Sequence, residues 1–194
     1  NARDTQGLCL DGGGGSELRD FAGVRYGTRI APDVHLRVYG KFFDRDDTMR
    51  SDGGEATNAW SMRRGGFRLD ADGDPSTLTL QGDVYDGSEY LVMGGIQRVS
   101  GGNLLGRWTR VFSSESDMSL QLYFDRTHLR DPITNRFGTV QYLTDDLDTY
   151  DVDFQHRFRW GAHHRFVWGA GYRFTHDVVQ NASNTAFLPA RLDH

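Results

Sequence analysis

Residues 150–160 read Tyr150-Asp151-Val152-Asp153-Phe154-Gln155-His156-Arg157-Phe158-Arg159-Trp160. Tyr150, Val152, Phe154, Phe158 and Trp160 fall on alternate positions, and Asp151, Asp153, Gln155, Arg157 and Arg159 fill the gaps. A helix would scatter both sets around its axis. A β-strand separates them onto opposite faces, because its side chains alternate with period two. The pattern continues in both directions. Downstream, Phe166, Trp168, Ala170, Tyr172 and Phe174 share a face opposite Arg173. Upstream, Met118, Leu120, Leu122 and Phe124 alternate with Ser119, Gln121, Tyr123 and Asp125. Further back, Leu78, Leu80 and Val84 oppose Thr77, Thr79, Gln81 and Asp83, and Val34, Leu36, Val38 and Phe42 oppose His35, Arg37, Tyr39 and Lys41.

Weaker alternation over 5–12, 18–29, 60–71 and 103–112 fills the intervals, although Arg63 and Arg64 interrupt the third of these. The total is about nine strands, each near the 9–11 residues a tilted membrane strand needs. The connections alternate too. Short turns at 31–33, 73–75, 113–116 and 161–164 carry Gly, Pro, Asp and Ser, which supply tight bends and local hydrogen bonds. Long polar connections are expected at 44–58, 86–101 and 127–149. Short turns at one end and long loops at the other are the asymmetry of an outer-membrane barrel.

Composition agrees with that reading. Mean hydropathy is −0.61 and no apolar run is long enough for a membrane helix. A membrane barrel tolerates both facts, because only every second residue meets lipid. Aromatics at 12%, 24 glycines and only four prolines favour a strand-built wall. The net charge of −5 argues against a nucleic-acid partner. The single Cys9 excludes an internal disulfide framework and reads as a small apolar strand residue.

The two faces divide the candidate residues. Arg25, Arg37, Tyr39, Lys41, Arg68, Gln81, Asp83, Arg107, Gln121, Tyr123, Asp153, Gln155, Arg157 and Arg173 are expected to face a wet or protein-filled lumen, since such groups are costly in a packed core. Leu36, Val38, Leu78, Leu80, Trp108, Leu120, Leu122, Phe154, Phe158, Trp160, Phe166, Trp168 and Tyr172 are expected to face lipid, the aromatics forming interfacial girdles. No catalytic residue, metal or cofactor is expected. Asp70-Ala71-Asp72-Gly73-Asp74 opens like a calcium loop, but Pro75 replaces the needed glycine and Gln81 the bidentate glutamate, so it reads as a polar hairpin turn. His163-His164 reads as a solvated turn, and the Gly12–Gly15 run as a flexible hairpin connection. No Gly-x-Ser-x-Gly elbow is present, which leaves a lone serine–histidine pair as the residual enzyme reading. The acidic runs 44–47 and 145–148 are expected to be solvated loop charge.

Several segments resemble, in order and spacing, the opening barrel strands of TonB-dependent outer-membrane receptors. They are Arg25-Tyr26-Gly27 with Leu36-Arg37-Val38-Tyr39-Gly40-Lys41, then Gly65-Gly66-Phe67-Arg68-Leu69-Asp70 with Leu78-Thr79-Leu80-Gln81-Gly82-Asp83. Asn103-Leu104-Leu105-Gly106-Arg107-Trp108, Tyr150-Asp151-Val152-Asp153-Phe154-Gln155-His156 and Val167-Trp168-Gly169-Ala170-Gly171-Tyr172-Arg173 continue the series. Ala2-Arg3-Asp4-Thr5-Gln6-Gly7 resembles the passage where the plug domain hands over to the first strand.

The resemblance implies an all-β, antiparallel up-and-down transmembrane barrel of which residues 1–194 are a part, starting just after the plug. It implies residence in the outer membrane of a Gram-negative bacterium, contact with membrane lipids and lipopolysaccharide, and the receptor's own plug and TonB as partners. It implies active uptake of a scarce nutrient such as a ferric siderophore, without bond chemistry; a passive porin or structural barrel is the alternative. The sequence carries no plug, TonB box or terminal aromatic and stops in what reads as another long loop, so the chain is expected to be a piece of a longer barrel.

Overall fold

A computed structural model describes residues 1–92, 94–135, 137–182 and 185–193. After one 3-10 turn at Arg3–Thr5 the chain forms ten strands: β1 (Gly7–Gly13), β2 (Leu18–Ala31), β3 (Val34–Arg45), β4 (Trp60–Asp72), β5 (Ser76–Tyr90), β6 (Ile96–Ser113), β7 (Ser116–Thr134), β8 (Val140–Trp160), β9 (His164–Gln180) and β10 (Arg191–Asp193). They lie side by side in sequence order in one antiparallel sheet, β1 at one edge and β10 at the other. The fold is all-β and up-and-down; the sheet is open, consistent with part of a barrel.

Register turns the alternation into two faces. One ladder row runs Leu36, Leu69, Leu80, Gly106, Leu122, Val152, Tyr172, and the row beside it runs Arg37, Arg68, Gln81, Leu105, Tyr123, Asp151, Arg173. Directly opposed residues share a face, so each row is nearly uniform in chemistry across seven strands. Pairing through β4 is unbroken at Arg63 and Arg64. Arg64 falls on the polar face and Arg63 on the apolar one, so the interruption is chemical and the backbone stays regular.

No second layer covers the apolar face. Among the described residues the buried hydrophobics are Ala2, Leu143 and Ala182, while Leu10, Val84, Trp160 and Tyr172 are all more than 65% exposed. The accessible surface is 12851 Å², whereas a compact monomer of this mass would expose roughly 9,300 Å². A soluble sheet must bury its apolar face against another element. This one does not.

Several expectations need correcting. The connections expected at 86–101 and 127–149 are mostly strand: β5 continues to Tyr90, β6 starts at Ile96, β7 runs to Thr134 and β8 starts at Val140. The broad connection at 46–59 is a loop. The acidic run 145–148 therefore lies within β8, paired to β7 and β9, and is not loop charge. Asp70 and Asp72 belong to β4, and the turn is confined to 73–75. Arg191–Asp193 is a short strand on β9 rather than loop. The cause is common to the long strands. Past the apolar band the even-numbered face of β7 and β8 turns polar (Arg126, His128, Arg130; Thr144, Asp146, Asp148) while the odd-numbered face mixes Leu129, Leu143 and Leu147 with Asp131 and Asp145, so the apolar alternation fades while backbone pairing continues. Short and longer connections still alternate along the sheet. His163 lies in the β8–β9 connection, but His164 opens β9 opposite Trp160, and Gly12 and Gly13 end β1.

Candidate functional site

The polar face is the candidate site, built from one row of side chains per strand. Arg25 comes from β2, Arg37, Tyr39 and Lys41 from β3, Arg68 from β4, Gln81 and Asp83 from β5 and Arg107 from β6. Gln121 and Tyr123 come from β7, Asp153, Gln155 and Arg157 from β8, and Arg173 from β9. Register places all of them on one face. Leu36, Val38, Leu78, Leu80, Trp108, Leu120, Leu122, Phe154, Phe158, Trp160, Phe166, Trp168 and Tyr172 all stand on the other.

Cross-strand pairs neutralise much of the polar face. Arg157 Nε meets Asp117 at 2.6 Å and Arg173 Nε meets Asp151 at 2.9 Å, joining β7 to β8 and β8 to β9. Arg107 Nε donates to Gln121 Oε1 at 2.9 Å, and the Tyr123 hydroxyl donates to Asp125 at 3.0 Å. On the other half, Arg64 Nη2 meets Asp83 at 2.9 Å, and the Tyr39 hydroxyl donates to that same carboxylate. Arg64, Asp117 and Asp151 were not among the sequence candidates, although counting by twos from Arg68, Gln121 and Asp153 puts each on this face.

Arg25, Arg37 and Lys41 differ. Among the described residues none of the three has a carboxylate within ion-pair range, and the Nε atoms of Arg25 and Arg37 are shielded from solvent without an acceptor. With Tyr39, Arg64 and Asp83 they line a hollow of about 440 Å³. Cys9 lies there too, in a strand as expected but on the polar side, paired across to Arg25. The hollow thus holds four cations and, with Asp11, two carboxylates. It suits an anionic group or an acidic protein surface.

Asp70 is the most enclosed acid, with a side chain 5% exposed. It accepts the Ala2 backbone N–H at 2.6 Å, Arg68 Nε at 2.9 Å and the Thr79 hydroxyl at 2.8 Å. This ties the first residues of the chain to the middle of the sheet, 68 positions away in sequence. Gly27 makes room for the crossing: a Cβ there would stand 2.0 Å from the Thr5 carbonyl oxygen.

The apolar face concentrates aromatics on β8 and β9. Phe154 lies 5.2 Å from Trp168, Phe158 lies 5.6 Å from Phe166 and Tyr150 lies 6.2 Å from Phe174, as ring centroids. Among the described residues the residual serine–histidine possibility has one instance, Ser116 Oγ at 3.4 Å from His156 Nε2. The Trp168 indole N–H donates to His156 Nδ1 at 3.3 Å. In neutral imidazole an accepting Nδ1 puts the proton on Nε2, so His156 cannot take one from Ser116. No group of metal-binding side chains occurs among the described residues. Comparison with known proteins adds no relative: no family model matches the chain, and neither a curated protein nor a solved structure matches it significantly.

Proposed function

We propose that the chain is part of the wall of an outer-membrane β-barrel, specifically the first part of the barrel of a TonB-dependent receptor in a Gram-negative bacterium. The observation that carries the membrane half of this reading is the uncovered apolar face. A surface of Leu, Val, Phe, Trp and Tyr across nine paired strands, interrupted at Arg63 with Asp86 and at His156, with most polar side chains kept to the other side, is stable where lipid supplies the missing layer. The open edges point the same way. Unpaired backbone at an edge costs several kcal/mol per group in lipid, so further strands would complete the barrel beyond β1 and β10.

The receptor half rests on the resemblance of the strand sequences and on the polar face. Such a lumen would hold the plug, with the surplus cations Arg25, Arg37 and Lys41 meeting acidic groups on it. The ends of β5 to β8 that run past the apolar band would stand outside the cell and share in ligand capture. The protein would contribute recognition and a TonB-gated path for a scarce nutrient such as a ferric siderophore, and no bond chemistry. Lipopolysaccharide and phospholipid would surround the wall.

Quenching by brominated lipid tests the membrane reading. With single tryptophans retained in turn, Trp108, Trp160 and Trp168 on the apolar face are expected to be quenched strongly and Trp60, on the polar face, weakly. Equal quenching at all four positions sinks the assignment of faces. Sequencing the coding DNA on both sides tests the receptor reading. A plug region with a TonB box upstream and about a dozen more alternating strands downstream are expected; further strands without a plug would favour a passive porin.

A further inference from the structure

A hollow of about 870 Å³ lies on the apolar face. Its floor is the directly paired Gly40 and Gly65, flanked by Val24 on β2 and Val84 on β5. These glycines are not demanded by the fold. A Cβ on Gly40 would meet only Val24 at 3.8 Å, and one on Gly65 only the Tyr39 carbonyl oxygen at 3.5 Å, both ordinary contacts. Neither residue has a positive φ. On the opposite face, Gly66 has no such freedom: a Cβ would come within 2.2 Å of the Asp83 carboxylate. The bare floor between Val24 and Val84 is therefore space left for something lying against the sheet from outside.

The groove has a polar end. Two positions from Gly65 toward the 46–59 loop, Arg63 stands on the same apolar face with its side chain 77% exposed. Its Nε lies 3.7 Å from Asp86, and its Nη groups make no hydrogen bond among the described residues. Toward the 32–33 turn the walls are apolar, with Val38 and Phe67 paired across β3 and β4. An arginine that spends only Nε on the opposing Asp86, at the end of an apolar trough, matches an amphiphile whose anionic head reaches the Nη side of Arg63 toward the loop and whose tail lies toward the turn. Guanidinium binds phosphate through paired N–H donors, and its apolar stem can lie along the sheet while the head stays at the water boundary.

We propose that this groove seats one acyl chain of the lipid A moiety of lipopolysaccharide, with a lipid A phosphate on Arg63. The inference rests on the membrane reading above, which puts the loop end in the outer leaflet. The test is native mass spectrometry of the full-length protein extracted from outer membranes in mild detergent, comparing wild type with Arg63→Ala, Arg63→Lys and Gly65→Leu. Wild type is expected to retain one lipid A molecule through extraction. Arg63→Ala should reduce occupancy about five-fold, Arg63→Lys should reduce it less, and Gly65→Leu should abolish it with every charge intact. Each variant is first checked for folding by its heat-modifiable mobility on gels. Unchanged lipid A occupancy in Arg63→Ala and Gly65→Leu overturns the proposal, as does retention of a glycerophospholipid or a second protein chain in its place. Folded membrane protein without lipid A overturns this inference alone; protein missing from the membrane fraction overturns the membrane reading and this inference together.

Discussion

The two faces of the sheet spend their side chains in opposite ways. On the polar face many long side chains reach a neighbour across the ladder, Arg173 to Asp151, Arg157 to Asp117, Arg64 to Asp83 and Arg68 to Gln81, and Arg68 also holds Asp70 on its own strand. On the apolar face side chains touch through rings and methyl groups, and many remain more than 40% exposed. A polar face largely paired within itself asks for outside partners mainly near Arg25, Arg37 and Lys41 and at the shielded atoms of His35, Asp145 and Asp177. An apolar face that stays bare needs its surroundings to be apolar. The contrast separates what the sheet provides from what it requires.

The sharpest way to break that contrast is to place the same cation on each face, one residue apart. Leu122→Arg puts a guanidinium in the middle of the apolar band and is expected to lower stability by about 2–4 kcal/mol. Gln121→Arg puts it among polar neighbours and should cost little, about 0.5 kcal/mol or less. Urea unfolding of the full-length protein in lipid vesicles measures both; similar costs at the two positions would falsify the assignment of faces. Next in size is Asp70→Ala, which strips acceptors from Arg68, Thr79 and the Ala2 N–H and is expected to cost about 1–3 kcal/mol in the same assay. A shift below 0.5 kcal/mol would show that the Ala2 tie is incidental.

Smaller effects separate the two halves of the polar face. Arg173→Gln removes an ion pair whose arginine side chain is 68% exposed, so a loss of only about 0.2–1 kcal/mol is expected after solvent screening. Arg37→Gln removes a cation with no partner, and stability should hold steady or rise. The reverse ranking would mean that Arg37 is engaged and Arg173 is not. The smallest effect lies at the loop. The Asp47 backbone N–H and then Arg19, 2.8 Å away, hold the Asp46 carboxyl below its ordinary value of 3.8. A depressed carboxylate contributes stability that is fully present above that ordinary value and lost as pH falls through the folded value. The contribution should therefore vanish only under strong acid, and Asp46→Asn should flatten that acid dependence.

Much of this was legible in the residues. Alternation at 150–160, 118–125 and 34–42 assigned each side chain to its face, because an antiparallel ladder preserves parity from strand to strand. Where the alternation ended, the strands did not. Asp86 to Tyr90, Arg126 to Thr134 and Val140 to Thr149 pair as regularly as the apolar band does, but aspartates mixed among the leucines of one face, and polar side chains on the other, blur the hydropathy period. Arg63 and Arg64 looked like a fault in β4 because two adjacent arginines must point to opposite faces. Asp70 was hidden for another reason. Its role depends on Ala2, and a contact between residues so far apart leaves no local pattern in either segment. The unpaired state of Arg25 and Arg37 was equally invisible, since it depends on which residue of the neighbouring strand stands opposite.

The tie between Ala2 and Asp70 also sets where mechanical load would enter the sheet. Tension drawn along the first residues of the chain would otherwise arrive at β1, a seven-residue strand at the edge, and open its ladder one hydrogen bond after another, the weakest way to separate two strands. With Ala2 held at Asp70, the pull reaches β4 directly, through a carboxylate itself clamped by Arg68 and Thr79. The edge strand lies downstream of that anchor and bears no force until it gives way. A single enclosed aspartate thus acts as a strain relief, letting the start of the chain be tugged without unzipping the wall behind it.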